Sequence, residues 1–141
     1  MKSYPTKGEV EDKITKAVTK FYTETLGVGP RESKTYIIED MILVRLKGRL
    51  LPIELKLLEL TNKKGVELVK NIRKALHEIT TKRLNTIIKR ITGYPAISSH
   101  SDISTKTGER VEIFILPIDF EKKIINNFLS KSQSEKRPAL Q

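Results

Sequence analysis

The chain has 141 residues, 27 Lys+Arg against 17 Asp+Glu for a formal net charge of +10, and neither Cys nor Trp. That length suits one domain, able to bury about 68% of the surface its unfolded form exposes without metal or disulfide support. The missing Cys excludes disulfides, thiol nucleophiles, thiolate zinc sites and iron–sulfur clusters, while 38% hydrophobic and 31% charged residues in periodic arrangement argue against disorder.

Residues 8–26 place Val10, Ile14, Ala17, Val18 and Phe21 at three- and four-residue steps. This predicts an amphipathic helix, stopped by Gly27, Gly29 and Pro30. Thr35–Gly48 holds two apolar, β-branched runs around Glu39-Asp40, a hairpin with a tight polar turn. Asp-Met is a poor primed-turn pair, so the pattern leaves its register open. Pro52–Leu60 is a short helix with Pro52 in its first turn. Thr61-Asn62 then offers an N-cap for a long helix from about Lys63 to Thr92, with Val66, Val69, Ile72, Leu76, Ile79, Leu84, Ile87, Ile88 and Ile91 as its stripe. The stripe slips at Thr80-Thr81, which predicts a bend or break, and Gly93 and Pro95 end the helix.

Ala96–Ser104 alternates strictly, with Ile97, Ser99, Ser101 and Ile103 on one face and Ser98, His100, Asp102 and Ser104 on the other. Lys106-Thr107-Gly108 supplies a turn, and Val111–Leu116 returns as an apolar strand. Asp119 caps a last helix, Phe120–Leu129. The expected architecture is a single α+β domain over residues 8–129, two antiparallel hairpins of about four strands with the helices on one face. Residues 130–141 are expected to form a flexible basic tail.

Most of the excess charge sits in residues 63–90, where nine basic residues face only Glu67 and Glu78. Lys70, Arg73, Lys74, Lys82, Arg83, Lys89 and Arg90 are therefore the basic-surface candidates. Against nucleic acid as the preferred ligand, the aromatic residues are scattered and form no stacking motif on adjacent strands. For chemistry, the polar strand is the most informative segment. His100 and Asp102 share a face with Ser98 and Ser104, a spacing that lets a carboxylate orient an imidazole. No Gly-rich elbow accompanies them, so a hydrolytic triad is disfavoured and no catalytic residue is assigned. Ser98, His100, Asp102 and Ser104, with nearby Arg110, are read as candidates for binding a ligand such as a small anion. His77-Glu78 lacks a second histidine, and no metal or cofactor is assigned. The long helix also suits self-association, and a homodimer is expected.

Two stretches carry a family resemblance: Gly29-Pro30 followed by TYIIEDMILVRLKG, and ISSHSDISTKTGE followed by VEIFIL. With Gly65-Val66-Glu67-Leu68-Val69, Arg73 and Ile91-Thr92-Gly93 between them, the chain resembles the MpsC-like family over about residues 9–117. His100–Thr105 is the most specific part. Where that family tends to have Leu-Thr-Pro-x-Glu, this chain reads Leu50-Leu51-Pro52-Ile53-Glu54, which removes a capping threonine. The resemblance implies a small component accompanying a membrane system that translocates sodium or supports inorganic-carbon uptake, and brings no catalytic residues with it. No apolar run reaches the roughly 18 residues of a membrane span, and the start lacks a signal-peptide core. The expectation is a cytoplasmic, non-catalytic accessory or binding module, with a membrane protein as a further partner. The alternative is a nucleic-acid binder using the basic helix and tail.

Overall fold

The structure, a computed structural model, describes residues 4–48, 52–59 and 63–136, and the side chains there except at 52, 53, 77 and 131–136. The first helix, α1, spans Lys7–Leu26. Thr6 caps it by accepting from the Glu9 N–H at 3.2 Å, and Gly27 ends it in the left-handed region at φ 78°. Next come β1 (Glu32–Ile38) and β2 (Met41–Lys47), α2 (Pro52–Leu57) and α3 (Lys64–Thr92). The chain continues through β3 (Ser98–Ile103) and β4 (Arg110–Ile115) to α4 (Phe120–Lys136). The family of elements is the α+β set that periodicity predicts.

All four strands form one antiparallel sheet in the order β1-β2-β4-β3. The two hairpins therefore join through β2 and β4, with Ile42 opposite Phe114 and Val44 opposite Glu112. Register in the first hairpin closes on Ile38 opposite Met41, leaving Glu39-Asp40 as the two-residue loop. Glu39 takes a positive φ of 55°, an uncommon conformation for a side chain of this kind. The start of α4 holds it there. The Glu39 N–H donates to Glu121 Oε1 at 3.0 Å, and its carbonyl accepts from the Glu121 N–H at 3.1 Å. Lys7 Nζ reaches the other Glu121 oxygen at 2.7 Å, so one carboxylate ties α1, the hairpin turn and α4 together.

One face of the sheet is covered by helices. Ile37, Ile42, Val44, Leu46 and Phe114 pack against Val10, Ile14, Val18 and Phe21 of α1, Leu84 and Ile88 of α3, and Phe120 and Ile124 of α4. Side chains of α1 also occupy the outer edge of β1, where Glu11 Oε2 accepts from the Ile37 N–H at 2.8 Å and Thr15 bonds Thr35 at 2.7 Å. Such contacts blunt an edge that would otherwise invite further strand pairing. On the opposite face Tyr36, Met41, Leu43, Val111, Ile113 and Ile115 are only half-buried.

Three expectations change. Helical structure in α3 continues through Thr80-Thr81 without a break. Its inward face runs Val69, Arg73, Leu76, Thr80, Leu84, Ile88 and Thr92, with Arg73 and Leu76 half-buried and the others buried, so the apparent slip arises because the polar Arg73 and Thr80 stand on that face. Thr80 tolerates burial because its hydroxyl donates to the Leu76 carbonyl at 2.8 Å. Conversely, Ile72 and Ile79 of the expected stripe are 39% and 75% exposed. The residue before α3 is Lys63 in the left-handed region, with no side-chain cap, and the predicted cap Thr61-Asn62 lies outside the described residues. Finally, α4 continues past Leu129 to Lys136, in keeping with a segment that has no Gly or Pro before Pro138; the end of the expected tail, 137–141, is outside the described residues.

Candidate functional site

Alternation along β4 turns Arg110, Glu112 and Phe114 toward the helices, and two of these three are charged. Glu112 is fully buried and Arg110 is 9% exposed. A buried carboxylate needs hydrogen-bond donors close by. Here Tyr22 of α1 donates its hydroxyl to Glu112 Oε1, and Ser101, directly opposite on β3, donates to the same oxygen at 3.0 Å. Burial first, then the charge and hydrogen bond of Glu112, push the Tyr22 hydroxyl well above the ordinary phenol range. The Arg110 guanidinium lies over the Tyr22 ring, 4.3 Å from its centroid, where the negative face of the ring receives it.

Beside this group, Arg73 of α3 meets Glu54 of α2 in a bidentate ion pair, Nε to Oε2 at 2.5 Å and Nη2 to Oε1 at 2.7 Å. Their side chains are 9% and 2% exposed. The third nitrogen, Nη1, is buried and has no partner among the described residues. Gly65 permits the approach of α2 to α3, since a Cβ there would lie 1.8 Å from the Leu57 carbonyl oxygen. Two voids adjoin the cluster. A deeper one of ≈ 10 Å³ is lined by Tyr22, Arg73, Arg110 and Glu112 among others, and an outer one of ≈ 40 Å³ by Tyr22, Arg73, Arg110 and the backbone of Gly29, Gly48 and Gly108. Segments distant in the sequence, Gly29-Pro30, Arg73 and the turn at Gly108, thus meet at one place.

The residues singled out in the sequence do not share one surface. Ser98, His100 and Asp102 stand on the uncovered face, whereas Arg110 points to the covered one, because residue parity along paired strands decides the side. No hydrogen bond links His100 to Asp102; Asp102 instead faces Lys70 at 3.7 Å and is 80% exposed. Ser104 belongs to the turn, its Oγ accepting from the Lys106 and Thr107 N–H groups at 3.3 Å each. Among the basic-surface candidates, Arg73 is corrected to a buried residue, drawn inward by Glu54. Arg83 lies over the Phe21 ring at 5.2 Å. Lys74, Lys82, Lys89 and Arg90 are exposed on α3. The His77 side chain is outside the described ones, and no group of three metal-ligating residues occurs among the described residues.

Sequence reasoning missed Tyr22, Glu54 and Glu112, and the inward orientation of Arg73. The available signal was an exception to pattern: a carboxylate on the inward parity of the most apolar strand, and an arginine four residues after Val69.

The model of the family described as Na+-translocating membrane potential-generating system (MpsC) matches residues 6–117. The uncharacterized protein YbcI of Bacillus subtilis (strain 168) is 41% identical over 118 residues, 84% of this chain and 94% of the relative. No solved structure matches.

Proposed function

The chain belongs to the MpsC family, and from that premise we propose that it is a cytoplasmic, non-catalytic accessory module that acts by docking, as a homodimer joined across the uncovered face of its sheet. The family description refers to a membrane system, and no helix among the described residues is long and apolar enough to cross a membrane. In this reading a membrane role for the chain is peripheral, as the companion of an integral-membrane partner.

The uncovered face carries the proposal. Its rows are graded: Ile38, Met41, Ile115 and Ser98 lie at the turn end, Tyr36, Leu43, Ile113 and His100 in the middle, and Lys34, Arg45, Val111 and Asp102 at the far end. Beyond the apolar end project Glu39 and Asp40; beyond the other, Lys47 faces Glu32 at 3.9 Å, and Arg45 is held by Glu109 at 2.6 Å. A two-fold axis in the interface, perpendicular to the strands, stacks the two middle rows and sets the acidic turn of each copy over the charge-paired end of its mate, away from the other acidic turn. An axis along the strands would put acid over acid, so charge selects the first arrangement.

Strands about 4.8 Å apart and six residues of about 3.3 Å each give a footprint of roughly 400 Å². A standard interface uses about 800 Å² per partner, so this face supports a weak, concentration-dependent dimer. Sedimentation velocity of the full chain over a micromolar concentration series tests it. The expected outcome is a monomer–dimer equilibrium that Leu43→Glu and Ile113→Glu each abolish while retaining the native circular dichroism. A concentration-independent monomer, or a dimer indifferent to both variants, refutes it. Membrane partnership is tested separately, by co-fractionation with the integral-membrane proteins of the same system.

A further inference from the structure

We propose that the cleft lined by Tyr22, Gly29, Gly48, Arg73, Gly108 and Arg110 is a binding site for a small free oxyanion of the carboxylate or phosphate type. It lies on the covered side of the sheet and is independent of the docking face. Its charged side chains among the described residues are two arginines, with no carboxylate in the lining. Both are nearly buried, the Arg73 side chain and the Arg110 residue each 9% exposed.

The donor inventory points to a missing acceptor. A guanidinium has five N–H donors in a planar fork and cannot shed its charge. Arg73 spends Nε and Nη2 on Glu54, which leaves Nη1 buried without an acceptor among the described residues. Arg110 forms no ion pair with a described carboxylate; its guanidinium rests on the Tyr22 ring. An unmet buried donor carries a desolvation penalty, and Arg73 Nη1, beside the same void as the nearly buried Arg110 cation, favours a ligand that presents several lone pairs. Glycine at 29, 48 and 108 leaves the walls without side chains, so a ligand meets main chain on those sides. A water requires about 10–15 Å³; the ≈ 40 Å³ outer void therefore accommodates about three. That volume suits a carboxylate group or inorganic phosphate. The planar or tetrahedral oxygens of such anions match the guanidinium fork in a way that chloride does not.

Titration of the labelled full chain with inorganic phosphate, and separately with acetate, in a constant chloride background tests the site by amide NMR. Saturable one-to-one binding is expected for at least one of them, with the amides of Gly29, Gly48 and Gly108 moving most. Arg110→Gln should weaken it about tenfold or more, the worth of one charge-assisted hydrogen bond. Arg73→Lys, which keeps a cation beside Glu54 but removes Nη1, should weaken it similarly, and His100→Ala should leave it unchanged. If Arg73→Lys does not fold, Arg110→Gln decides alone. Failure of both anions to saturate would mean that the voids hold only internal water, and the proposal falls. It falls equally if the shifts centre elsewhere, or if folded Arg110→Gln binds as the native chain does.

Discussion

Replacing Glu54 by Gln should be among the most damaging single changes in this domain, even though it alters one polar atom. The carboxylate is 2% exposed and takes two hydrogen bonds from Arg73. Gln cannot accept both, nor neutralise a guanidinium whose Nη1 already lacks a partner. Removing one member of a buried ion pair costs about 3–5 kcal/mol. For a domain of this size, roughly 4 °C of melting temperature per kcal/mol gives a fall of about 12–20 °C. The penalty is that of a stranded charge rather than the worth of the pair, so it should be recoverable. Glu54→Leu combined with Arg73→Met should return stability to within about 1 kcal/mol of the native chain or above it. Thermal and urea denaturation followed by circular dichroism completes the cycle. Because α2 has only six residues and packs on α3, its release is the competing response, visible as a smaller urea m-value without a large change in midpoint. The reasoning is refuted if Glu54→Gln costs under about 1 kcal/mol with m unchanged, or if the double variant is less stable than either single one.

Gly65→Ala should displace α2 from α3 and cost about 1–3 kcal/mol, because its Cβ would meet backbone that cannot rotate away; protection of α2 from proteolysis reads the effect. Tyr22→Phe should cost about 1–3 kcal/mol by withdrawing a donor from buried Glu112. The same variant should leave the tyrosinate absorbance that develops below pH 11 unchanged, since the folded Tyr22 hydroxyl is held far above the ordinary range. That raised value contributes stability fully present below pH 10 and lost as pH climbs further, so the native chain should weaken in alkali more than Tyr22→Phe does. At the acid end the sign reverses. Glu121 is held below its usual 4.5, chiefly by the Lys7 hydrogen bond and then by the Glu39 N–H, so its contribution is present above that pH and fades as pH falls through the lower folded value. Glu121→Gln should flatten this part of the acid stability profile in chemical denaturation.

Much of the fold is a local property. Thr6 and Glu9, the three-and-four spacing of α1, and Gly27 delimit the first helix by short-range hydrogen bonds and side-chain packing within a few residues. Strict alternation in Ser98–Ile103 announced both a strand and its two faces, and the stretches named with the family resemblance fall in the matched region, residues 6–117. The pairing of β2 with β4 is non-local, since hydrogen bonds between strands about seventy residues apart leave no periodic trace in either. The continuity of α3 was hidden for a related reason. Its core face includes Arg73 and Thr80, polar residues that hydropathy assigns to solvent until Glu54 and the Leu76 carbonyl are seen beside them.

What the sequence by itself determined was the α+β class, the element order, the family and the charge imbalance, all set by composition and spacing along the chain. Only the tertiary structure decided which charges go inside. A buried arginine or glutamate is tolerated through partners contributed by other elements: Glu54 reaches Arg73 from nineteen residues away, and Tyr22 reaches Glu112 from ninety. Parity told that Arg110 and His100 could not both face one ligand only once β3 and β4 were in register. The candidate anion cleft is likewise a property of the folded chain, because its two cations and three glycines come together only when α1, α3 and the loops flanking the sheet converge.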